Sequence, residues 1–370
     1  MANPKDDFVK VVEDLMSGGK YGAKAPAPEE VRGVFEDMEK AETEGGEYQK
    51  LFSELTGEKP PSKQDFYVDT FFHLHDDKPG WLRDVPSMAR YKHYVPNLDM
   101  LEMAFRAWQK NHRVMLVGDP GCGKSTGIEY MCALTGKPFY RFNFHRDTER
   151  QDIFGEVHID AKDGVSITEY WLADLPKTVS NPYSILLDEF TNAPSGIVET
   201  LKRLLERGGD MYLPDKKDDN VIKPHADFRI CTASNAKGLG DQMDKYTASN
   251  VMDIATLDRL DVTIEMDYLP AKREQALVTL WQPDLPKEMV SDLVKFCNLT
   301  REGFRKGEIS LPMSPRGLEA VAMYTMDFLN PIKAIKYCYF NKLADDGEKA
   351  AVIQLAQTVF REFNKWGGLK

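Results

Sequence analysis

The sequence predicts an α/β fold: a five-stranded parallel sheet, a helical domain after it and an acidic helical extension before it. Three observations carry this. Short apolar runs at residues 114–117, 139–144, 184–187, 228–233 and 262–266 alternate with helix-patterned stretches, the rhythm of a parallel sheet. The first run passes directly into Gly118-Asp119-Pro120-Gly121-Cys122-Gly123-Lys124-Ser125, which has the spacing G-x-x-x-x-G-K-[ST]. Beyond residue 270 the strand rhythm stops, and helix-periodic pieces separated by proline and glycine run to the end. Three divisions follow: an extension and linker at 1–94, an α/β core at 95–269 and a helical lid at 270–370.

Composition bounds the class. Of 370 residues, 42% are hydrophobic and 29% charged, the balance of a globular chain. The net charge of −11 makes free DNA or RNA a poor partner by bulk attraction. Five scattered cysteines without a C-x-x-C pair suit a reducing, cytoplasmic compartment. No apolar run approaches the ~18 residues of a membrane span, and the first residues hold no apolar leader core.

Residues 1–60 carry 8 Lys/Arg against 14 Asp/Glu, and weak helical periodicity is visible at 8–16 and 28–40. We read this stretch as a solvated extension rather than a docking arm. Residues 65–94 are rich in aromatics. His73, His75, Asp76 and Asp77 lie close together there, but H-x-H without a second ligand cluster favours a packed linker over a metal site. At 95–111, Asn97 is a suitable N-cap, and Leu98, Leu101, Phe105 and Trp108 recur at helical spacing.

The loop itself fits phosphate chemistry. Gly118, Gly121 and Gly123 let the backbone of Asp119, Pro120, Cys122 and their neighbours curl its N–H groups inward, and a helix running on from Thr126 aims its positive end at the same anion. Lys124 would reach the β- and γ-phosphates, and the Ser125 hydroxyl would ligate Mg²⁺. The third strand ends in Asp188-Glu189. Asp188 would hold Mg²⁺ and Glu189 would polarise an attacking water. Asn235, just past the fourth strand, would orient the same water. Arg259, in Leu257-Asp258-Arg259-Leu260, has the planar fork that binds phosphate oxygens and would serve a neighbouring subunit; the plainer alternative is a surface pair with Asp258 or Asp261. Arg316 opens a helix of the lid and would turn back toward the nucleotide.

These motifs, in this order, resemble an AAA+ ATPase. The finer likeness is to the MoxR branch, and within it to the CobS type of cobaltochelatase ATPase subunit. It covers about residues 94–341 and rests on HRVMLVGDPGCGKST, RQDIFGEVHIDAKDGVSITEY, ILLDEF, VIKPHADFRICTASNAKGLGD, LDRLDVTIEMDYLP and LTREGFRKGEISLPMSPR. The resemblance implies Walker A at Gly118 to Ser125, Walker B at Asp188 and Glu189, sensor 1 at Asn235, an arginine finger at Arg259 and sensor 2 at Arg316. It places Asn143 where a polar residue restrains the catalytic glutamate. It makes residues 152–168, with Asp163-Gly164 as the turn, a helix-2 hairpin, and residues 208–224 a pre-sensor-1 hairpin.

The resemblance also implies ATP and Mg²⁺, a hexameric homo-oligomeric ring, and remodelling of a partner complex. The chain lacks an Asp-x-Ser-x-Ser metal site. Any von Willebrand-type partner would therefore be a separate protein, joined by a large chelatase subunit if the work is cobalt insertion. A general MoxR-type chaperone is the alternative. A nucleic-acid motor is disfavoured because neither hairpin interleaves Arg/Lys with aromatics as a single-strand channel does.

Overall fold

The computed structural model describes residues 46–162, 165–236 and 252–360. The helices expected at 8–16 and 28–40 and the Asp163-Gly164 turn lie outside these residues. The chain divides into two units, the first ending at Asp69 and the second beginning at Thr70. In the first, β1 (Gln49–Leu51) and β2 (Tyr67–Asp69) pair antiparallel around α1 (Phe52–Thr56). Phe52, fully buried, stacks on Phe66 at 5.3 Å between centroids.

The second unit opens with aromatic-rich 3₁₀ turns. His75 Nε2 lies 2.7 Å from Gly136 O, and the ring packs edge-on against Phe72 and Trp81, so this histidine belongs to a packed linker. Helix α2 (Leu98–Gln109) follows. As its sequence implies, the Asn97 side chain caps it by accepting from Met100 N–H at 3.1 Å, and Leu101, Phe105 and Trp108 face inward.

Next come β3 (Val114–Gly118), α3 (Lys124–Thr135) and β4 (Phe139–Asn143). A short α4 (Arg150–Ile153) precedes the antiparallel hairpin β5 (Gly155–Lys162) and β6 (Val165–Leu172). Then follow α5 (Asp174–Val179), β7 (Ser184–Asp188), α6 (Ser195–Leu205), the small hairpin β8 (Met211–Tyr212) and β9 (Val221–Ile222), β10 (Arg229–Ser234), α7 (Ile254–Asp258) and β11 (Val262–Met266).

Five strands form one parallel sheet in the order β11-β3-β10-β7-β4. Its centre is β3, β10 and β7. Covered on both faces, such strands must be apolar nearly throughout, and Val114 to Val117 and Ser184 to Asp188 are all buried. The edge strand β4 tolerates alternation, and Arg141 sits in it. The glycine-rich loop and the acid pair leave the carboxyl ends of β3 and β7, the two strands that flank β10, where a parallel sheet opens its ligand crevice.

Beyond Tyr268 the chain is helical: α8 (Ala271–Trp281), α9 (Lys287–Lys306), α10 (Pro315–Phe328), α11 (Pro331–Cys338) and α12 (Asp346–Val359). Here Leu293, Phe296, Val321, Ile335 and Val352 build an apolar core of their own. A second core, around Phe144, Ile185, Leu187, Phe190 and Leu201, lies against the sheet.

Candidate active site

Strand β3 delivers the glycine-rich loop. Gly118 stands opposite Met266 on β11, and a Cβ there would lie 2.2 Å from Met266 O, so only glycine lets the strand run on into the loop. Gly121 adopts φ +79°, and a Cβ on it would come within 2.9 Å of Ser314 Cβ, so the loop also touches the helical part of the chain. Helix α3 starts at Lys124 behind Gly123 with no side-chain cap, the kind of helix start that suits an anion.

Lys124 is buried, and its ammonium donates to Gly118 O at 2.6 Å, Asp119 O at 3.2 Å and Asn235 Oδ1 at 2.8 Å. All three acceptors are neutral, so the amine is held in place while its charge stays available to a phosphate. Ser125 Oγ donates to Asp188 Oδ2 at 2.7 Å. This hydroxyl–carboxylate pair offers the hard oxygens that Mg²⁺ prefers. A guanidinium nitrogen of Arg141 lies 2.5 Å from the same Oδ2.

Glu189 follows Asp188 in a left-handed conformation, φ 52° and ψ 39°, unusual for a side-chain-bearing residue and the kind of local strain that collects at functional sites. Its own N–H donates to Asp188 Oδ1 at 3.0 Å. Its carboxylate accepts from Asn235 Nδ2 at 3.0 and 3.3 Å and from Asn192 Nδ2 at 3.4 Å. Burial, and then the neighbouring Asp188 charge, raise its pKa above the ordinary glutamate value, while Lys124, Asn235 and Arg141 pull the other way. A carboxylate so placed is a stronger base than a free one. Asn235 thereby links the loop cation to this acid, with its carbonyl on Lys124 and its amide on Glu189.

Gly121, Cys122, Gly123, Lys124, Ser125, Thr126, Asp188, Glu189, Asn235 and Arg316 line one cleft of about 650 Å³. Pro120 lines it too, and Asp119 contributes its carbonyl to Lys124. Arg316 comes from the first turn of α10, which Ser314 caps through Gly317 N–H. Tyr94, Val95, Leu277 and Trp281 give the cleft an aromatic and apolar side. Asn143 pairs in register with Asp188 and is exposed; the carboxamides that reach Glu189 are those of Asn235 and Asn192.

Arg259 is not in this cleft. Its Nε and a terminal nitrogen contact Glu206 Oε1 at 3.2 and 2.7 Å, and its other terminal nitrogen donates to Ala255 O at 2.6 Å. It lines a separate surface hollow with Arg207, Asp258 and Asp261, and Asp261 is taken by Arg207 and by Arg113 N–H.

Several residues of the site gave no motif signal. Tyr268, at the start of the helical part, donates its hydroxyl to Pro120 O at 3.2 Å, and the Arg301 guanidinium lies 3.8 Å from its ring centroid. Arg301 in turn donates to both oxygens of Glu274 at 2.9 and 2.6 Å, to Asn298 Oδ1 and to Met313 O. One buried arginine thus ties α8, α9 and the approach to α10 to the ring that touches the loop. Arg141 and Asn192 are the other two. The one available hint was a cationic residue in a strand beside the acid pair.

Residues 113–259 match the AAA domain of the dynein-related subfamily. The chain is 31% identical over 288 residues to aerobic cobaltochelatase subunit CobS of a Sinorhizobium species, a match spanning 75% of this chain and 86% of that one. It is 24% identical over 255 residues to the denitrification regulatory protein NirQ of Pseudomonas aeruginosa, covering 68% of this chain and 91% of the relative. It shares 24% identity over 255 residues with von Willebrand factor A domain-containing protein 8 of Mus musculus, covering 66% of this chain but 13% of that protein.

Proposed function

The chain belongs to the MoxR branch of the AAA+ ATPases, beside the CobS-type subunits, and on that premise we propose that it is a ring-forming, cytoplasmic ATPase that uses hydrolysis to remodel a partner protein complex. The observation that carries the chemistry is the convergence of Lys124, Ser125, Asp188, Glu189 and Asn235 on one cleft. In this reading residues 95–269 form the nucleotide-binding core and 270–370 its lid.

The roles in this reading rest on the cleft and, for Arg259, Arg316 and Asn143, on the family likeness. Gly118 to Thr126 bind the phosphates through backbone N–H groups, and Lys124 supplies the main positive charge. Ser125 and Asp188 hold Mg²⁺, which when bound neutralises phosphate charge. Glu189 takes a proton from the attacking water, and Asn235 keeps that carboxylate aimed. Arg316 closes on the phosphates from the lid side. Arg259 reaches the γ-phosphate of a neighbouring copy, so the active species is a ring, a hexamer by family likeness. By family likeness, Asn143 is a further polar restraint on Glu189.

The hairpins β5–β6 and β8–β9 expose Val157, Ile159, Trp171 and Val221, apolar side chains that would serve a protein partner rather than a nucleic-acid groove. We assign that partner to a separate von Willebrand-type protein, with a large chelatase subunit if the work is cobalt insertion into a corrin precursor, as the CobS likeness suggests. The likeness to a relative named for a von Willebrand factor A domain favours the broader chaperone reading as the alternative.

Two variants test the chemistry. Lys124→Ala is expected to lose nucleotide binding. Glu189→Gln is expected to bind ATP normally and hydrolyse it ~10²- to 10⁴-fold more slowly, the usual weight of a general base. Equilibrium binding and steady-state ATPase assays on the purified chain decide it, and normal turnover in Glu189→Gln contradicts the assignment.

A further inference from the structure

Arg141 is left unexplained by these roles. It lies in the edge strand β4, two residues before its end, where Asn143 pairs with Asp188 and Arg141 with Leu186. On parallel strands in register, residues 141 and 143 project to the same side as Leu186 and Asp188. The long side chain therefore runs up toward Asp188. It ends 2.5 Å from Oδ2, the same oxygen that accepts from Ser125. That oxygen belongs to one of the two residues assigned to Mg²⁺ and accepts from the other. Arg141 is 48% exposed and lines the cleft, whereas Asp188 is 5% exposed. The cation is thus held at one point on a buried acid and is otherwise open to whatever enters.

Two acids stand side by side here, Asp188 and Glu189, against the single fixed cation of the loop. The Lys124 ammonium directs its donors to Gly118 O, Asp119 O and Asn235 Oδ1 rather than to either carboxylate. Arg141 supplies the countercharge. A guanidinium has five donors in a planar fork that fits two oxygens of a phosphate as readily as a carboxylate. An incoming magnesium nucleotide brings both a stronger cation for Asp188 and an anion for Arg141, so the two exchanges favour each other.

We propose that Arg141 is a phosphate-sensing cation of the same subunit: it neutralises Asp188 until a magnesium nucleotide enters, then moves its guanidinium to the terminal phosphate. This rests on the nucleotide reading of the cleft and adds to it a residue that distinguishes ATP from ADP by the position of the terminal phosphate.

The test is binding, not turnover. The affinities of ATP and ADP for the full chain, for Arg141→Gln and for Arg141→Lys are measured by calorimetry, with Mg²⁺ and with EDTA. Far-ultraviolet circular dichroism verifies that each variant is folded. With Mg²⁺, Arg141→Gln is expected to lose about tenfold in ATP affinity, the weight of one charge-assisted contact, and under about threefold in ADP affinity, with a smaller difference in EDTA, where Asp188 keeps the guanidinium. Arg141→Lys, which keeps the charge and loses the fork, is expected to fall between. With Mg²⁺ the variant is expected to reach half-saturation at a lower metal concentration, because a competitor for Asp188 is gone. Equal losses for ATP and ADP, or no loss for either, overturn the proposal while leaving the cleft a nucleotide site. Failure of the unaltered chain to bind either nucleotide under both conditions overturns the nucleotide reading and this one with it.

Discussion

Arg301 and Arg141 both rest on carboxylates near the glycine-rich loop, one from the helical side and one from the sheet. Arg301 and Glu274 are 3% and 0% exposed, against 48% and 5% for Arg141 and Asp188. Arg301 spends its donors on two carboxylate oxygens, an amide oxygen and a backbone carbonyl, with the Tyr268 ring across its face. Burial, the largest influence, opposes its charge, but the Glu274 hydrogen bonds together with the neighbouring Cys297, Glu274 and Tyr268 outweigh it, so its pKa rises. Arg141 has a single close contact at the edge of an open cleft. A fully partnered, dry arginine cannot let go without stranding a charge, whereas a half-exposed one exchanges partners at little cost. Arg259, 27% exposed on Glu206, belongs with Arg141. The chain thus has a fixed pair that ties its helical part to the loop and half-exposed pairs at the cleft and at the surface hollow around Arg259.

The largest effect should come from breaking the fixed pair. Glu274→Gln leaves Arg301 buried without its carboxylate and is expected to cost about 3–5 kcal/mol in denaturant unfolding. If it costs no more than Arg141→Gln, the distinction between the two pairs fails. Tyr268→Phe sharpens the comparison. It keeps the ring under Arg301 and removes the hydroxyl from Pro120, so stability should fall by only about 0.5–1.5 kcal/mol while nucleotide affinity weakens. A nucleotide affinity unchanged by Tyr268→Phe would uncouple the lid anchor from the loop.

Much of this was legible in the sequence. The apolar runs fixed by a two-sided parallel sheet gave all five strands to within a residue or two, and Asn97 marked its helix start because the cap is a local interaction. The loop and the acid pair are contiguous, so they too could be read directly. The pairings were not legible. Arg141 finds Asp188 through strand register, Arg301 finds Glu274 by helix packing, and Arg259 finds Glu206 across 53 positions, whereas the sequence pointed to Asp258 or Asp261 as its surface partners. Nothing in local periodicity encodes a contact between distant elements. The Tyr268 hydroxyl on Pro120 likewise depends on how the lid folds back across 148 positions.

A smaller effect is expected at the exchangeable pair on the far surface. Glu206→Gln should change unfolding free energy by at most about 1 kcal/mol, as for exposed ion pairs, and should leave ATPase activity no lower, since it releases Arg259. A marked loss of turnover would make Glu206 part of the machinery instead of a holder. The smallest effect concerns the helix that carries Arg259. Asp253 caps α7 through Thr256 N–H, and Lys202, followed by that N–H, lowers its carboxyl to about 2. A depressed carboxyl stabilises the fold above the ordinary aspartate value of 3.8, and this contribution is lost as pH falls from there through about 2. Thermal melts between pH 6 and 2.5 should show a loss that Asp253→Asn, which keeps the cap without the charge, largely removes. Identical acid profiles for the two proteins would place the cap's stability elsewhere.

The most direct measurement mixes two inactive subunits. Arg259→Ala retains its own cleft but offers no arginine to its neighbour, and Lys124→Ala offers the arginine but binds no nucleotide. Each alone is expected to turn over ATP on the order of 10³-fold more slowly, or worse. Titrated together, they should recover measurable ATPase activity with a maximum at intermediate ratios, because Arg259 of one copy then completes the cleft of another. Full turnover by Arg259→Ala alone, with no gain at any ratio, would contradict a shared site.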